Sequence, residues 1–396
     1  MNKVLFLKGL LIFLILNAMS CTKATNPLPS GNANPSLGIE NVIPSNLGNF
    51  YSTNFNRYTK VTAPNGKAIH IVVQSDITEE QIVRCRSILE HYLKNYPGSQ
   101  YGNDKTAVAN KIADNNAILA LLNGSDNGQN PISNQVTGQP LYQHEIQVEG
   151  HSWYMNQDYT HRDAAYEEIL HFVHDNGIGV DGTGGMPGAL PNYQAEIRAA
   201  QQNALTNNLW GIGSASWIAE LRAENSLTQE YLAALIDAYY GLWGAWTENA
   251  THSMWGGYTA KNRSEIATED PTGNNLLNNK FFHPYLTYNA RIDASLTGSF
   301  SLKYDPSKPY TEHARYLKDV TLLGSNDVSV IVNELNNDIT GNSGSNTVVF
   351  SGSYSEYSVS TANNITTVND NTTNRDGVNT LQLIEKLQFT DQTINL

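Results

Sequence analysis

The chain has 396 residues, 40% hydrophobic and 15% charged, which is enough apolar material for a packed core and enough length for two or three domains. Its formal net charge is −13, from 24 basic and 37 acidic side chains, and so acidic a chain is poorly suited to a phosphate backbone. Nucleic-acid binding is therefore disfavoured, and cations such as calcium are the more compatible partners.

Lys3 and Lys8 flank the apolar run 4–7, a second apolar run covers 10–16, and Ala18, Met19, Ser20 and Cys21 follow. Residues 1–20 thus have the composition of a secretory signal, too short and wrongly flanked to span a bilayer. The end of this segment resembles the lipobox of bacterial lipoproteins. The resemblance implies lipidation of Cys21 and export to the outer membrane or cell surface on a lipid anchor. Ala18 stands where that family usually has Leu, which leaves simple cleavage as the alternative. Residues 21–60, rich in Asn, Pro, Ser and Gly, read as a flexible tether.

Beyond the tether, 68–73 is a strand candidate, and Thr78 with Gln81 forms a capping box for a helix through Lys94. That helix carries Cys85 among Ile82, Ile88 and Leu89, as a buried small hydrophobe. A second helix is expected over 105–122, closed by Asn123 and Gly124, then a polar loop over 127–138. Leu141, Ile146, Val148 and Trp153 alternate as a strand across 140–154.

The chemistry concentrates in 164–177. Glu167, His171 and His174 stand at i, i+4 and i+7 and share a helix face, with Glu168 beside it and Gly177 as the stop. A row of carboxylate and imidazole can hold a divalent metal. The same spacing also suits the wet face of a helix that buries Ile169, Leu170, Phe172 and Val173. His144, His151 and His161 precede the helix without a spacing that makes them ligands. A Gly- and Pro-rich loop over 178–193 and a helix over 193–207 follow. A second capping box, Ser226 with Gln229, opens a helix to about Trp243 with Glu230 and Asp237 seven residues apart on one face.

This pair of helices resembles the active site of gluzincin metallopeptidases, in particular the lethal-factor-like branch. There a His-Glu-x-x-His helix supplies two zinc ligands and the general base, and a Glu from a later helix supplies the third ligand. Here Glu167 stands in place of the first His, Glu168 on the catalytic Glu, His171 on the second His, and Glu230 on the later ligand. The resemblance implies zinc held by His171, Glu230 and either Glu167 or His174, with Glu168 as base and Asp237 orienting a ligand. It implies hydrolysis of a peptide or protein substrate, and so many carboxylates keep manganese or calcium open as the metal. The alternative is a surface lipoprotein that binds glycan or protein around a vestigial site.

Trp246, Met254, Trp255, Tyr258, Phe281, Phe282 and Tyr285 read as core and lid, and His252, His283 and His313 as structural or surface residues. From Leu323 the composition shifts to Ser, Thr, Asn and Gly with short β-type runs, an all-β module. Its 341–349 segment resembles one unit of the RTX calcium repeat, with Asn346 where that family has Asp, and 376–391 resembles the segment that closes such modules. The resemblance implies a weak calcium site at Gly341, Gly344 and Asn346. The expected fold is α+β: a mainly helical zincin-like domain with a small sheet over 61–322, then a small all-β domain over 323–396.

Overall fold

Order starts earlier than the composition suggests. The computed structural model describes residues 33–156, 162–181, 188–243, 252–253 and 257–396. The expected signal segment, Cys21 and the start of the tether lie outside the described residues, as do His161, residues 182–187 of the Gly-rich loop, Trp246, Met254 and Trp255. From residue 33 the tether reading is corrected. Leu47, Tyr51 and Phe55, on and beside helix α1 (Asn49–Asn54), are buried against Val72, Ile118 and Leu122 of the first sheet. Aromatic residues every few positions gave this segment a core of its own despite its polar composition.

The first sheet has the order β1 (Arg57–Thr62), β2 (Ala68–Val73), β3 (Ile118–Leu122), β4 (Gln139–Tyr142). β1 is antiparallel to β2 and the remaining pairs are parallel. Helix α2 (Glu79–Leu93) begins on the expected capping box: Thr78 Oγ1 accepts from the Gln81 N–H at 3.2 Å, and Gln81 Oε1 from the Thr78 N–H at 2.9 Å. The expected helix over 105–122 divides. Helix α3 (Thr106–Asp114) stops there, Asn116 turns the chain with φ at 50°, and Ile118–Leu122 becomes a wholly buried strand. A short unbroken apolar run flanked by Asn is what a parallel strand covered on both faces looks like.

After α4 (Ser152–Asn156) comes the helix with the candidate site, α5 (Ala165–Val173), which continues into a π turn over His174–Ile178. Gly177 does not take the left-handed cap. A Cβ there would lie 2.8 Å from side-chain carbons of Val108 and Ile112, so the glycine lets the π turn press on α3, and the positive φ of 108° falls on Gly179. The chain then forms α6 (Pro191–Thr206), α7 (Ala215–Glu224), α8 (Leu227–Tyr239), α9 (Arg263–Glu269) and α10 (Pro271–Leu277). α5 packs between α2 and α8 with β4 alongside. Its apolar side chains Ile169, Leu170, Phe172 and Val173 are buried among them.

The C-terminal strands alternate between two further sheets. β5 (Leu286–Ile292), β7 (Leu317–Leu322), β9 (Asn337–Thr340) and β13 (Val378–Gln382) stack in parallel on one, extended by the hairpin β11 (Tyr357–Ala362) and β12 (Ile365–Asp370). β6 (Gly298–Ser301), β8 (Val328–Ile331), β10 (Thr347–Val349) and β14 (Lys386–Gln388) stack on the other, with β15 (Thr393–Asn395) at its edge. The short helix α11 (Thr311–Ala314) lies between β6 and β7. Each pass buries its inward residues, Val320, Val330, Ile339, Val348, Leu381 and Leu387, between the sheets. The Asn-rich turns serve this stacking. Asn326 Nδ2 donates to the carbonyls of Ala294 and Leu296, and Asn342 Nδ2 to those of Leu323 and Asn326, all at 3.0 Å, so an amide of one rung caps turn carbonyls of the rung before.

The expected fold class and domain boundary are overturned as well. The molecule is mixed α/β with three mixed sheets; at 35% helix and 23% strand it is not mainly helical with one small sheet. The boundary expected at 322/323 cuts through both C-terminal sheets, whose first strands are β5 and β6. The turn at Gly341, Gly344 and Asn346 also reads differently in three dimensions. Asn346 Nδ2 donates to Asn342 Oδ1 at 2.9 Å and its Oδ1 accepts from the Asn342 N–H at 2.6 Å. A Cβ on Gly341 would lie 1.8 Å from the Leu383 carbonyl oxygen, and one on Gly344 2.5 Å from that of Asn326. Those glycines let neighbouring rungs touch, and the amide pairing, not a ring of carboxylates, closes the turn.

Candidate metal centre

α5 and α8 bring three of the predicted ligands together. Glu167, His171 and Glu230 are buried, and one ligand atom from each lies within 4.8 Å of the others. His171 Nε2 faces Glu230 Oε1 at 3.9 Å and makes no hydrogen bond. Tetrahedral ligands about 2.1 Å from a zinc ion stand roughly 3.4 Å apart, so a contraction of about half an ångström brings this pair to coordination distance. A buried imidazole nitrogen without a partner, opposite a carboxylate oxygen, is an arrangement that a divalent cation completes.

Glu168 stands next to this group. Its Oε2 accepts from Gln139 Nε2 on β4 at 2.7 Å and lies 3.8 Å from His171 Nδ1. Burial pushes its carboxyl up to about 8; the negative charge of Glu167 adds to this, while His171 and Arg162 oppose it. Burial alone would lower the His171 pKa, but Glu230, then Glu168 and Glu167, outweigh it and raise it. Asp237 is fully buried, with neither carboxylate oxygen in a regular hydrogen bond. Its pKa is raised well above the carboxylate range by burial and then by Glu167, while Arg162 and the Trp243 indole work the other way.

Arg162, just ahead of the helix, was not singled out by the sequence, yet its guanidinium lies against the group. Its Nη1 donates to Glu167 Oε2, and its Nη2 lies 3.6 Å from Glu168 Oε1. The segment that carries it is fixed by the next residue. Asp163 receives Arg84 Nη1 and Nη2 at 3.1 and 2.6 Å and the Tyr154 hydroxyl at 2.6 Å. Arg84 Nε also donates to Glu149 at 3.1 Å, and Glu149 accepts the Tyr288 hydroxyl from β5 at 2.8 Å. Tyr288 meets the hydroxyl of Tyr166, the neighbour of Glu167, and His313 Nε2 lies 3.5 Å from that same hydroxyl. β5 and α11 of the C-terminal region thus abut the back of the site helix. Among the histidines expected to be structural, His313 belongs to this buried network, and the contacts from 288 and 313 carry no local sequence signal.

His174 does not join the ligands. It is fully buried, and its Nε2 meets Gln194 Oε1 of α6 at 2.6 Å. Seven residues of helix span about 10.5 Å, and at that level the chain has passed into the π turn, where Gln194 of α6 takes the imidazole. Burial lowers the His174 pKa to about 4. The unfolded chain binds this proton near pH 6.5, so the stability linked to His174 is complete above that value and is lost as pH falls towards 4. About 3 kcal/mol is at stake, from the difference of roughly 2.5 pH units. Urea unfolding midpoints from pH 7 to 4 are expected to fall more steeply for the wild type than for His174→Gln; parallel curves would refute this assignment.

The remaining histidines lie elsewhere: His144 Nδ1 is bonded to the Ser125 hydroxyl at 2.8 Å, and His151 Nδ1 accepts from the Trp153 N–H at 3.4 Å. Cys85 is fully buried and burial raises its thiol pKa, as a structural cysteine requires. Among the described residues, Glu167, His171 and Glu230 form the one group of three or more potential metal ligands. Compared with known proteins, the chain matches no family model, no curated sequence and no solved structure.

Proposed function

We propose that this chain is a divalent-metal-dependent hydrolase of peptide bonds. The observation that carries the reading is the buried Glu167, His171 and Glu230 group with its unpartnered His171 Nε2. Zinc suits two carboxylates and one imidazole, and so does manganese. A bound divalent cation supplies Lewis acidity, acidifying water and polarising a carbonyl. Glu168, 3.8 Å from His171 Nδ1 and fixed by Gln139, is the carboxylate in place to take a proton from water and return it to a leaving amine. A divalent cation held by Glu167, His171 and Glu230 would favour the ionised, proton-accepting form of Glu168, whose carboxyl burial otherwise pushes up to about 8. Asp237 and Arg162 act on Glu167: Arg162 orients it through its guanidinium, and Asp237 adds a buried carboxyl to the same wall. On this reading the lipobox-like segment ending at Cys21 holds the enzyme at an exported membrane surface, within reach of peptide or protein substrates.

One observation favours the second reading, a vestigial site in a surface-binding protein. The Arg162 guanidinium already pairs with Glu167, as a cation substituting for a metal would. Cleavage of a mixed peptide library separates the two. The hydrolase reading expects cleavage that a chelator abolishes and added zinc or manganese restores; no cleavage with either metal returns the chain to the binding class.

A further inference from the structure

Edge strands in this molecule are protected in different ways, and β11 is left open. β1 is covered by Glu40, which exchanges both backbone bonds with Tyr58 at 2.8 Å. In the larger C-terminal sheet β5 lies against α2, and in the smaller one the outermost strand, β15, has only 3 residues. β11 ends the larger sheet, is 6 residues long, and carries no charged side chain. It contains no proline and keeps its register with β12 throughout, so the usual devices that blunt an edge are missing.

The hairpin decides which groups of β11 are free. Asn363 and Asn364, with φ at 52° and 61°, form its tight turn, so the closing pair Ala362–Ile365 is hydrogen-bonded. Bonded pairs then alternate through Ser360–Thr367 and Ser358–Asn369. The N–H and C=O groups of Tyr357, Val359 and Thr361 therefore point away from β12. Among the described residues they bond to no other element. Val359 is half-buried, beside the fully buried Val368 at the rim of the core, and Ser358, Ser360, Thr361 and Ala362 are exposed. The adjoining carboxylate, Glu356, is held by Arg375 at 3.0 Å.

We propose that β11 pairs with β11 of a second copy of this chain, antiparallel across a two-fold axis. With Val359 facing Val359, Tyr357 of each copy faces Thr361 of the other, and every outward N–H and C=O of these residues gains a partner. The apolar row then runs from Val368 through both Val359 side chains to the other Val368, covering the half-exposed valine. On the outer face Ser358 of each copy meets Ser360 of the other, small hydroxyls that do not hold the strands apart. In a chain of net charge −13, two copies repel over most of their surfaces, and an uncharged edge is where they can meet. The pairing does not depend on the metal centre.

Sedimentation velocity of the full chain over a concentration series tests this. One strand a side is a small interface, and a reversible dimer with a dissociation constant below about 1 mM is expected. The double variant Ser358→Lys with Ser360→Lys sets lysine opposite lysine in this register and is expected to weaken dimerisation about tenfold or more. Ser358→Glu with Ser360→Glu is expected to do the same, whereas a mixture of the two variants dimerises, because lysine then faces glutamate. Both positions are exposed, and unchanged far-UV circular dichroism is expected for each variant. A wild type still monomeric near about 1 mM overturns the proposal and leaves the edge to a strand of another protein. It is equally overturned if the lysine variant dimerises as tightly as the wild type, or if the mixture stays monomeric.

Discussion

Replacing Arg84 by methionine is expected to destabilise the protein by about 3–5 kcal/mol, a large fraction of the stability of an ordinary domain. Arg84 is fully buried between Glu149 and Asp163 and holds the Glu149 carboxyl down to about 2, with help from His313 and Tyr288, against the burial that would raise it. Remove the guanidinium, and two carboxylates remain in a site that cannot solvate them. Changing Glu149 to Gln in the same chain should recover part of the loss, because one of the stranded charges goes with it. Denaturant unfolding of both variants checks this; a loss under about 1 kcal/mol for Arg84→Met would mean that water reaches the network. The effect extends to the site, since Asp163 anchors the residue that orients Glu167, and Tyr288 and Tyr166 lead to the same helix turn.

Glu168→Gln is expected to leave metal affinity within a few-fold of wild type while lowering peptide hydrolysis by about a hundred- to ten-thousand-fold, the range of general-base contributions. Glutamine keeps the shape but cannot accept the proton. Steady-state rates and metal content measured on the same preparation check the prediction. If rate and metal fall together, Glu168 is holding His171 through Nδ1 and is not acting as base. If neither changes, it has no part in the chemistry.

The parts of the molecule legible in the sequence are those set by local chemistry. The capping box at Thr78 and Gln81, the strand over 68–73 and the apolar stripe of α5 all appear where the residues put them. Glu167 and His171 were readable because one helical turn joins them, and Glu230 because a carboxylate in an apolar helix needs a partner. His174 misled because angular phase is only half of helix geometry: it shares the face but sits at the level of α6. Ile118–Leu122 misled because a continuous apolar run carries no period to separate strand from helix.

The C-terminal region was hardest to read, for a physical reason. Its rungs are joined by hydrogen bonds between turns 16 to 32 residues apart, such as Asn342 to Asn326 and Asn326 to Ala294, and the Asn residues that make them look in sequence like a polar loop. The network from Tyr288 and His313 to Tyr166 was equally invisible, spanning 122 and 147 residues. Composition reports that a residue is polar; only the fold shows which carbonyl it caps.

The most direct measurement is elemental analysis of the purified full chain after reconstitution with zinc or manganese and removal of loose metal, beside His171→Ala and Glu230→Gln. Close to one metal ion per wild-type chain, lost in both variants while their circular dichroism is unchanged, is the predicted result. A wild type that retains no metal, or a His171→Ala chain that retains as much as wild type, would contradict the assignment of Glu167, His171 and Glu230 as a metal centre.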